Sequence, residues 1–241
     1  MNIHITTHGS SGQPLVFFHG WGFDSLIWDP LLPDLVSNYQ LYLVDLPGFG
    51  LTPPMDWQSF KILLLNQLPD SFALLGWSMG GMWATRLAIE APQRVSHLLN
   101  IASSPRFLKD IDWPGVDECV LATFYHNLTK SPAQTVAQFT ALQLRGVIVP
   151  ALKNMQLPSL AGLRAGLDVL ACWDLRQQLN DINKPVCYMF GRLDSIIPRA
   201  VMPVMEKKYP HFDYVLYPHA AHIPFLSHSR QFMASLQNFL A

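Results

Sequence analysis

The chain is short of charge. Only 14% of its 241 residues are Asp, Glu, Lys or Arg, the net charge is -1, and half of the residues are apolar. That balance excludes the polar, highly charged composition of a disordered chain. It also leaves no general attraction for nucleic acid or an anionic membrane, so any electrostatic partner site must be local. Cysteine is scarce: Cys119, Cys172 and Cys187 are scattered, with no CxxC and no Cys/His cluster at metal-ligand spacing. The expectation is buried or half-buried free thiols in a reducing compartment, and no metal. No apolar run approaches the ~20 residues of a membrane span. The stretch Met1-Asn2-Ile3-His4-Ile5-Thr6-Thr7 has neither the basic nor the apolar region of a secretory signal. Together these absences predict a soluble, cytoplasmic protein without nucleic-acid or membrane partners.

What is present is a rhythm of short apolar runs and helical patterns. Leu15–Phe18, Leu41–Val44, Phe72–Leu75 and His97–Ala102 read as buried strands. Helical spacing separates them over 26–36, 59–67 and 79–91. Continuous apolar strands alternating with helices imply a parallel sheet covered on both faces. The rhythm breaks over 106–176, where helical patterns are punctuated by Pro114, Pro132, Pro150 and Pro158. It resumes with strands at Val186–Phe190 and Tyr214–Tyr217 and a last helix over 229–240. The reading is one α/β core, 1–105 and 177–241, interrupted by a helical lid over 106–176. A length of 241 residues suits a single sizeable domain of this kind.

The chemistry concentrates at Gly76-Trp77-Ser78-Met79-Gly80-Gly81, a G-x-S-x-G motif between a buried strand and a helix. At such an elbow the serine is forced into a tight strand-to-helix turn that lifts its hydroxyl above the sheet. The helix N-terminus adds positive potential where negative charge develops. The bland alternative is that Ser78 merely caps the helix. A serine nucleophile needs a base. In the chain order of this motif the base comes late, which favours His222, with His219 in the same loop as its main competitor. Asp194, in Gly191-Arg192-Leu193-Asp194, ends the strand after the insertion and suits the orienting acid; Asp174 and Asp213 suit it less well. The backbone N–H of Met79 and of Trp21, in His19-Gly20-Trp21-Gly22, suit an oxyanion hole. In the insertion, Ser131-Pro132 reads as a helix start, with serine as N-cap. Val136, Phe139 and Gln143 then share one face that covers a pocket or packs on the core.

These motifs, with Val44-Asp45-Leu46-Pro47-Gly48-Phe49-Gly50, resemble the α/β-hydrolase superfamily along essentially the whole chain. Ala102-Ser103-Ser104-Pro105, Trp113-Pro114-Gly115, Phe139-Thr140-Ala141-Leu142-Gln143 and Ala220-Ala221-His222-Ile223-Pro224-Phe225 narrow the resemblance to the pimeloyl-acyl carrier protein methyl ester carboxylesterases of biotin synthesis. The resemblance implies an α/β-hydrolase fold and no metal or organic cofactor. It implies a monomeric cytoplasmic serine esterase that releases methanol from a pimeloyl methyl ester attached to acyl carrier protein. Substrate contacts would fall on Trp21, Ser78, Met79, Phe139, Thr140, Ala141, Leu142, Gln143 and His222. An acidic carrier needs a basic dock. Between 130 and 164 the only charged residues are Lys130, Arg145, Lys153 and Arg164. Gln134 and Gln138 stand where the family carries more arginines, which would weaken or move that dock. A general short-chain carboxylesterase, a carbon–carbon bond hydrolase with the same triad, and a non-catalytic binding protein of this fold stay open.

Overall fold

The computed structural model describes residues 2–241. Seven strands form one sheet in the order β1-β3-β2-β4-β5-β6-β7. The strands are β1 (Ile5–His8), β2 (Gln13–Phe18), β3 (Tyr39–Val44), β4 (Phe72–Trp77), β5 (Val95–Ile101), β6 (Val186–Gly191) and β7 (Asp213–Tyr217). All neighbours pair in parallel except β1, which lies antiparallel on β3 at the edge. This is the α/β-hydrolase architecture. Along β2, Leu15 and Phe17 enter one apolar cluster while Val16 and Phe18 enter the other. Both faces are therefore covered, which is why the strands read as unbroken apolar runs rather than alternating ones.

Helices α1 (Leu32–Leu35), α2 (Trp57–Gln67), α3 (Met79–Glu90), α7 (Val201–Lys208), α8 (Pro224–Ser227) and α9 (Ser229–Leu240) accompany the sheet. Between β5 and β6 come α4 (Glu118–Lys130), α5 (Pro132–Leu144) and α6 (Leu160–Cys172). The two ends of this stretch are joined at a neck. Arg106 and Asp174 form an antiparallel bridge, and Leu175 N–H donates to the Pro105 carbonyl at 3.0 Å. The Arg176 guanidinium reaches Asp110 at 2.7 Å and Asp174 at 2.6 Å, and lies over the Trp113 ring.

Several local expectations need correction. The helical spacing over 26–36 is a 3-10 segment, Ser25–Leu31, followed by the single turn of α1. Pro30 and Pro33 remove the amide hydrogens that a continuous α-helix there would use. β1, with one apolar residue in Ile5–His8, does not stand out in the sequence, and α7, interrupted by Pro203, does not show a helical pattern. Pro132 opens α5 as expected, but the Ser131 side chain makes no capping hydrogen bond. Cys119 and Cys172 are exposed, and only Cys187 is buried. Among the described residues no helix is long and apolar enough to cross a membrane.

One buried carboxyl ties the start of the 3-10 segment. Asp24, 4% exposed, accepts from the Leu26 N–H at 3.1 Å and from the Gln156 main chain. Burial foremost, then the charge of Asp45, raises its pKa to about 6 against the two hydrogen bonds. The folded protein thus binds this proton more tightly than the unfolded chain does. The contribution to stability is fullest below about pH 4 and is lost as the pH rises through 6. Asp24→Asn removes that loss. Thermal melts should show the variant's Tm, relative to the unsubstituted protein, moving upward between pH 4.5 and pH 7.5. A constant difference between the two pH values would contradict the assignment.

Candidate active site

Strand order decides where a site can form. After β2 the chain moves to β3 on one side, and after β4 it moves to β5 on the other. The loops leaving β2 and β4 therefore diverge above neighbouring strand ends, Phe18 pairing with Gly76. Crevices of open α/β sheets form at such a switch point. Here the two loops carry His19-Gly20-Trp21-Gly22 and Ser78.

Ser78 adopts φ 57° and ψ −122°, a left-handed conformation costly for any residue with a Cβ. Its surroundings enforce the turn. A Cβ at Gly76 would lie 2.4 Å from the Gly80 carbonyl oxygen, and one at Gly80 would lie 2.4 Å from that of Phe18. Only glycine lets α3 start this close to β4 and β2. The Ser78 N–H donates to the Ile101 carbonyl at 2.9 Å, and the buried Ser103 hydroxyl donates to the Ser78 carbonyl at 2.7 Å. The Ser78 side chain makes no capping bond to α3. Its hydroxyl instead meets His222 Nε2 at 2.9 Å.

His222 Nδ1 lies 2.8 Å from Asp194 Oδ2, with both side chains 2% exposed. A carboxylate only accepts, so Nδ1 carries the proton and Nε2 presents a lone pair to the serine hydroxyl. The other Asp194 oxygen accepts from the N–H of Ile196 at 2.8 Å and of Ile197 at 3.1 Å. The acid and base loops are also bonded to each other, Leu193 N–H to the Ala220 carbonyl at 2.9 Å. The Trp77 indole donates to the His222 carbonyl at 2.8 Å. That bond helps select His222 over His219, which is exposed in the same loop. Asp174 sits at the neck with Arg176, and Asp213 starts β7 in solvent, so neither meets a histidine near Ser78.

Two further donors flank the serine. Met79 begins α3, and among the described residues neither its N–H nor that of Trp21 is hydrogen-bonded to another protein group. A Cβ at Gly20 would lie 3.2 Å from the Ser78 Cβ, so the Gly20–Trp21 peptide runs directly beside the nucleophile. His19 fixes that peptide. Its Nδ1–H donates to the Gly20 carbonyl at 2.9 Å, and its Nε2 accepts from the Leu46 N–H at 3.0 Å. Burial lowers its pKa, which suits a ring that must stay neutral to accept. In a trans peptide the N–H points opposite the carbonyl, so holding the Gly20 carbonyl aims the Trp21 N–H. His19, Ser103 and Trp77 lie inside or beside the motifs, yet sequence reasoning assigned them no role. Their signal is a hydrogen bond to backbone, which residue type alone does not carry.

Beside the triad lies a cavity of about 280 Å³. Trp21, Ser195 and Ile196 border it on the side of the triad, and Phe107, Leu121, Phe124, Phe139, Leu142, Leu167 and Leu170 supply apolar walls. Of the expected substrate contacts, Trp21, Phe139 and Leu142 line it. Ser78, Met79, Thr140, Ala141, Gln143 and His222 do not, and Ala141 faces solvent. Gln143 is fully buried, and neither atom of its amide has a protein partner among the described residues.

The family model described as alpha/beta hydrolase family matches residues 15–235. The chain belongs to the alpha/beta hydrolase family. Pimeloyl-[acyl-carrier protein] methyl ester esterase of Legionella pneumophila (strain Lens) is 57% identical over 240 residues, covering 100% of both chains. The protein of the same name from Aliivibrio salmonicida is 38% identical, over 99% of this hydrolase and 96% of the relative. An esterase from Exiguobacterium antarcticum superposes with a TM-score of 0.87 at 21% identity, over 98% of this chain and 94% of that one. A bromoperoxidase from Bacillus anthracis reaches 0.86 at 22%, over 99% and 95%. At these identities the two structures speak for the fold alone.

In this hydrolase Asp194→Asn would present an amide to His222 Nδ1 and favour the wrong tautomer. Hydrolysis of p-nitrophenyl acetate should fall by about 10³–10⁴-fold, with circular dichroism unchanged. A loss below tenfold would remove Asp194 from the triad.

Proposed function

We propose that the protein is a cytoplasmic serine esterase that cleaves the methyl ester of a pimeloyl chain attached to acyl carrier protein. The hydrogen-bonded run from Ser78 through His222 to Asp194 carries the esterase assignment. The substrate rests on the full-length kinship with the Legionella esterase. Ser78 Oγ attacks the ester carbonyl carbon while its proton passes to His222 Nε2, and Asp194 stabilises the resulting imidazolium. The Trp21 and Met79 N–H groups hold the oxyanion, aided by the α3 N-terminus. Collapse expels methanol, protonated by His222, and leaves an acyl-enzyme. Water, deprotonated by His222, then attacks; the free carboxylate leaves and Ser78 recovers its proton.

Residues 106–176 act as a lid that shapes the acyl site over a core of 1–105 and 177–241. The apolar walls of the cavity suit a methylene chain, and its volume is near the lower end for ligand sites. The buried Gln143 amide, unpartnered among the described residues, lies outside the lining of this cavity and carries no part of the reading. Lys130 ends α4, Arg145 follows α5, Lys153 lies over 150–154 and Arg164 is on α6; all four are exposed. Among the described residues none of them makes an ion pair within the chain. Four free cations on one insertion suit an acidic carrier, through a field that salt screens.

Two measurements test this reading. A fluorophosphonate should label Ser78 and no other residue, and absence of labelling in folded protein would support a non-catalytic binding role. The kcat/KM for the carrier-linked methyl ester should exceed that for the free monomethyl ester by at least tenfold. The combined Arg145→Glu and Lys153→Glu variant should erase most of that advantage at low salt while the free-ester rate holds. Equal rates on both esters would point to a general esterase.

A further inference from the structure

Trp21 has two ends with different tasks. Its main-chain N–H faces the region beside Ser78, while its side chain, 1% exposed, leaves the core and enters the insertion. There the indole Nε1–H donates to the Leu163 carbonyl of α6 at 2.8 Å. One turn further along α6, Gly166 leaves the helix surface bare. A Cβ there would lie 2.7 Å from Trp21 Cδ1 and 3.1 Å from Met79 Sδ. The same small patch of helix thus touches the side chains of both residues whose N–H groups flank the nucleophile. One turn earlier, a Cβ at Gly162 would lie 2.1 Å from the Gly48 carbonyl oxygen, so α6 rests backbone to backbone on the loop after β3. On its remaining sides the Trp21 ring meets Phe124 of α4 at 5.1 Å and Phe139 of α5 at 5.4 Å, edge to face.

We propose that α6 is a positioning element of the oxyanion hole, with Gly166 and the Leu163 carbonyl setting where Trp21 and Met79 hold their N–H groups. This rests on the esterase reading and goes beyond it, because it gives the insertion a part in transition-state stabilisation as well as in substrate selection. The physical basis is a difference of scale. Carbon atoms in contact sit about 3.5–4.0 Å apart, so a methyl at Gly166, which would also lie 3.0 Å from Phe49 Cζ, must move Trp21 or α6 by close to 1 Å. Displacement of that size can cost about 100-fold in rate. The edges of Phe124 and Phe139 close two sides of the ring, so the direction left to it is into the cavity it borders, away from its tether on α6.

The test uses p-nitrophenyl acetate, whose acetyl group is too short to need the apolar cavity. Gly166→Ala should lower kcat on this ester by about 10–100-fold, with KM changed less than about twofold. The rate at which a fluorophosphonate labels Ser78 should fall in parallel. Trp21→Phe, which keeps the main-chain N–H and an aromatic ring but loses the tether, should lower kcat by about 3–10-fold. Because both substitutions act on one contact, the double variant should lose less than the product of the two single losses. If folded Gly166→Ala keeps its kcat, or if only long-chain esters suffer, α6 is packing or pocket wall and the proposal is wrong. If Gly166→Ala does not fold, an unchanged kcat in Trp21→Phe overturns it equally. Failure of the unsubstituted protein to react with the fluorophosphonate would instead remove the esterase reading itself.

Discussion

The turn at Ser78 depends on backbone approaching backbone. Gly76 and Gly80 let the start of α3 sit against the ends of β4 and β2, at distances no side chain would tolerate. Two consequences share that one contact. The serine is driven into a conformation it would not choose, with its hydroxyl raised clear of the sheet. The loop after β2 is drawn alongside it, a Cβ at Gly20 falling 3.2 Å from the Ser78 Cβ. The strained serine and the loop beside it are therefore not separate arrangements. They are two results of one steric constraint, and the Ser103 hydroxyl and Ile101 carbonyl hold it from below.

The remaining parts of the site are held by loops that brace one another. The loop after β6 donates two main-chain hydrogen bonds to the end of β7 and the loop beyond it, Arg192 N–H to the Tyr217 carbonyl and Leu193 N–H to that of Ala220. The Trp77 indole then ties the base loop back to the nucleophile strand. Main-chain bonds thus help bring together a histidine and an aspartate 28 residues apart in sequence. Their near-complete burial keeps water from competing for the same bonds.

Legibility in the sequence followed the same division. Strands buried on both faces announce themselves as apolar runs, and the elbow glycines are required by sterics, so β2 to β6 and the Ser78 turn could be read directly; the half-exposed edge strand β7 was legible from its unbroken Tyr-Val-Leu-Tyr run. Edge strand β1 could not, since a half-exposed Ile-Thr-Thr-His segment has no strong period. The 3-10 segment over 25–31 showed helical spacing because its apolar residues do face inward, while Pro30 altered the hydrogen bonding without altering the pattern. His222 and His219 differ by three positions in one loop, so chain order, which favours His222, leaves His219 as its competitor. The Trp77 bond separates them, and only coordinates reveal it. The same holds for His19, whose hydrogen bonds go to the Gly20 carbonyl and the Leu46 N–H, and for Gly166, one glycine among the small positions of α6.

The neck between Arg106 and Asp174 has a consequence for how such a molecule can change. The stretch between β5 and β6 leaves and re-enters the sheet at adjoining strands, and its two ends are already paired there. Lengthening a closed loop costs little, about 0.6 kcal/mol per doubling. A cassette so mounted can be exchanged, shortened or redecorated without disturbing the register of the strands that carry Ser78, Asp194 and His222. Its freedom ends where α6 touches the core. An exchanged cassette must bring its own seat for the Trp21 indole, which makes a single tryptophan the point at which the two parts of the chain have to match.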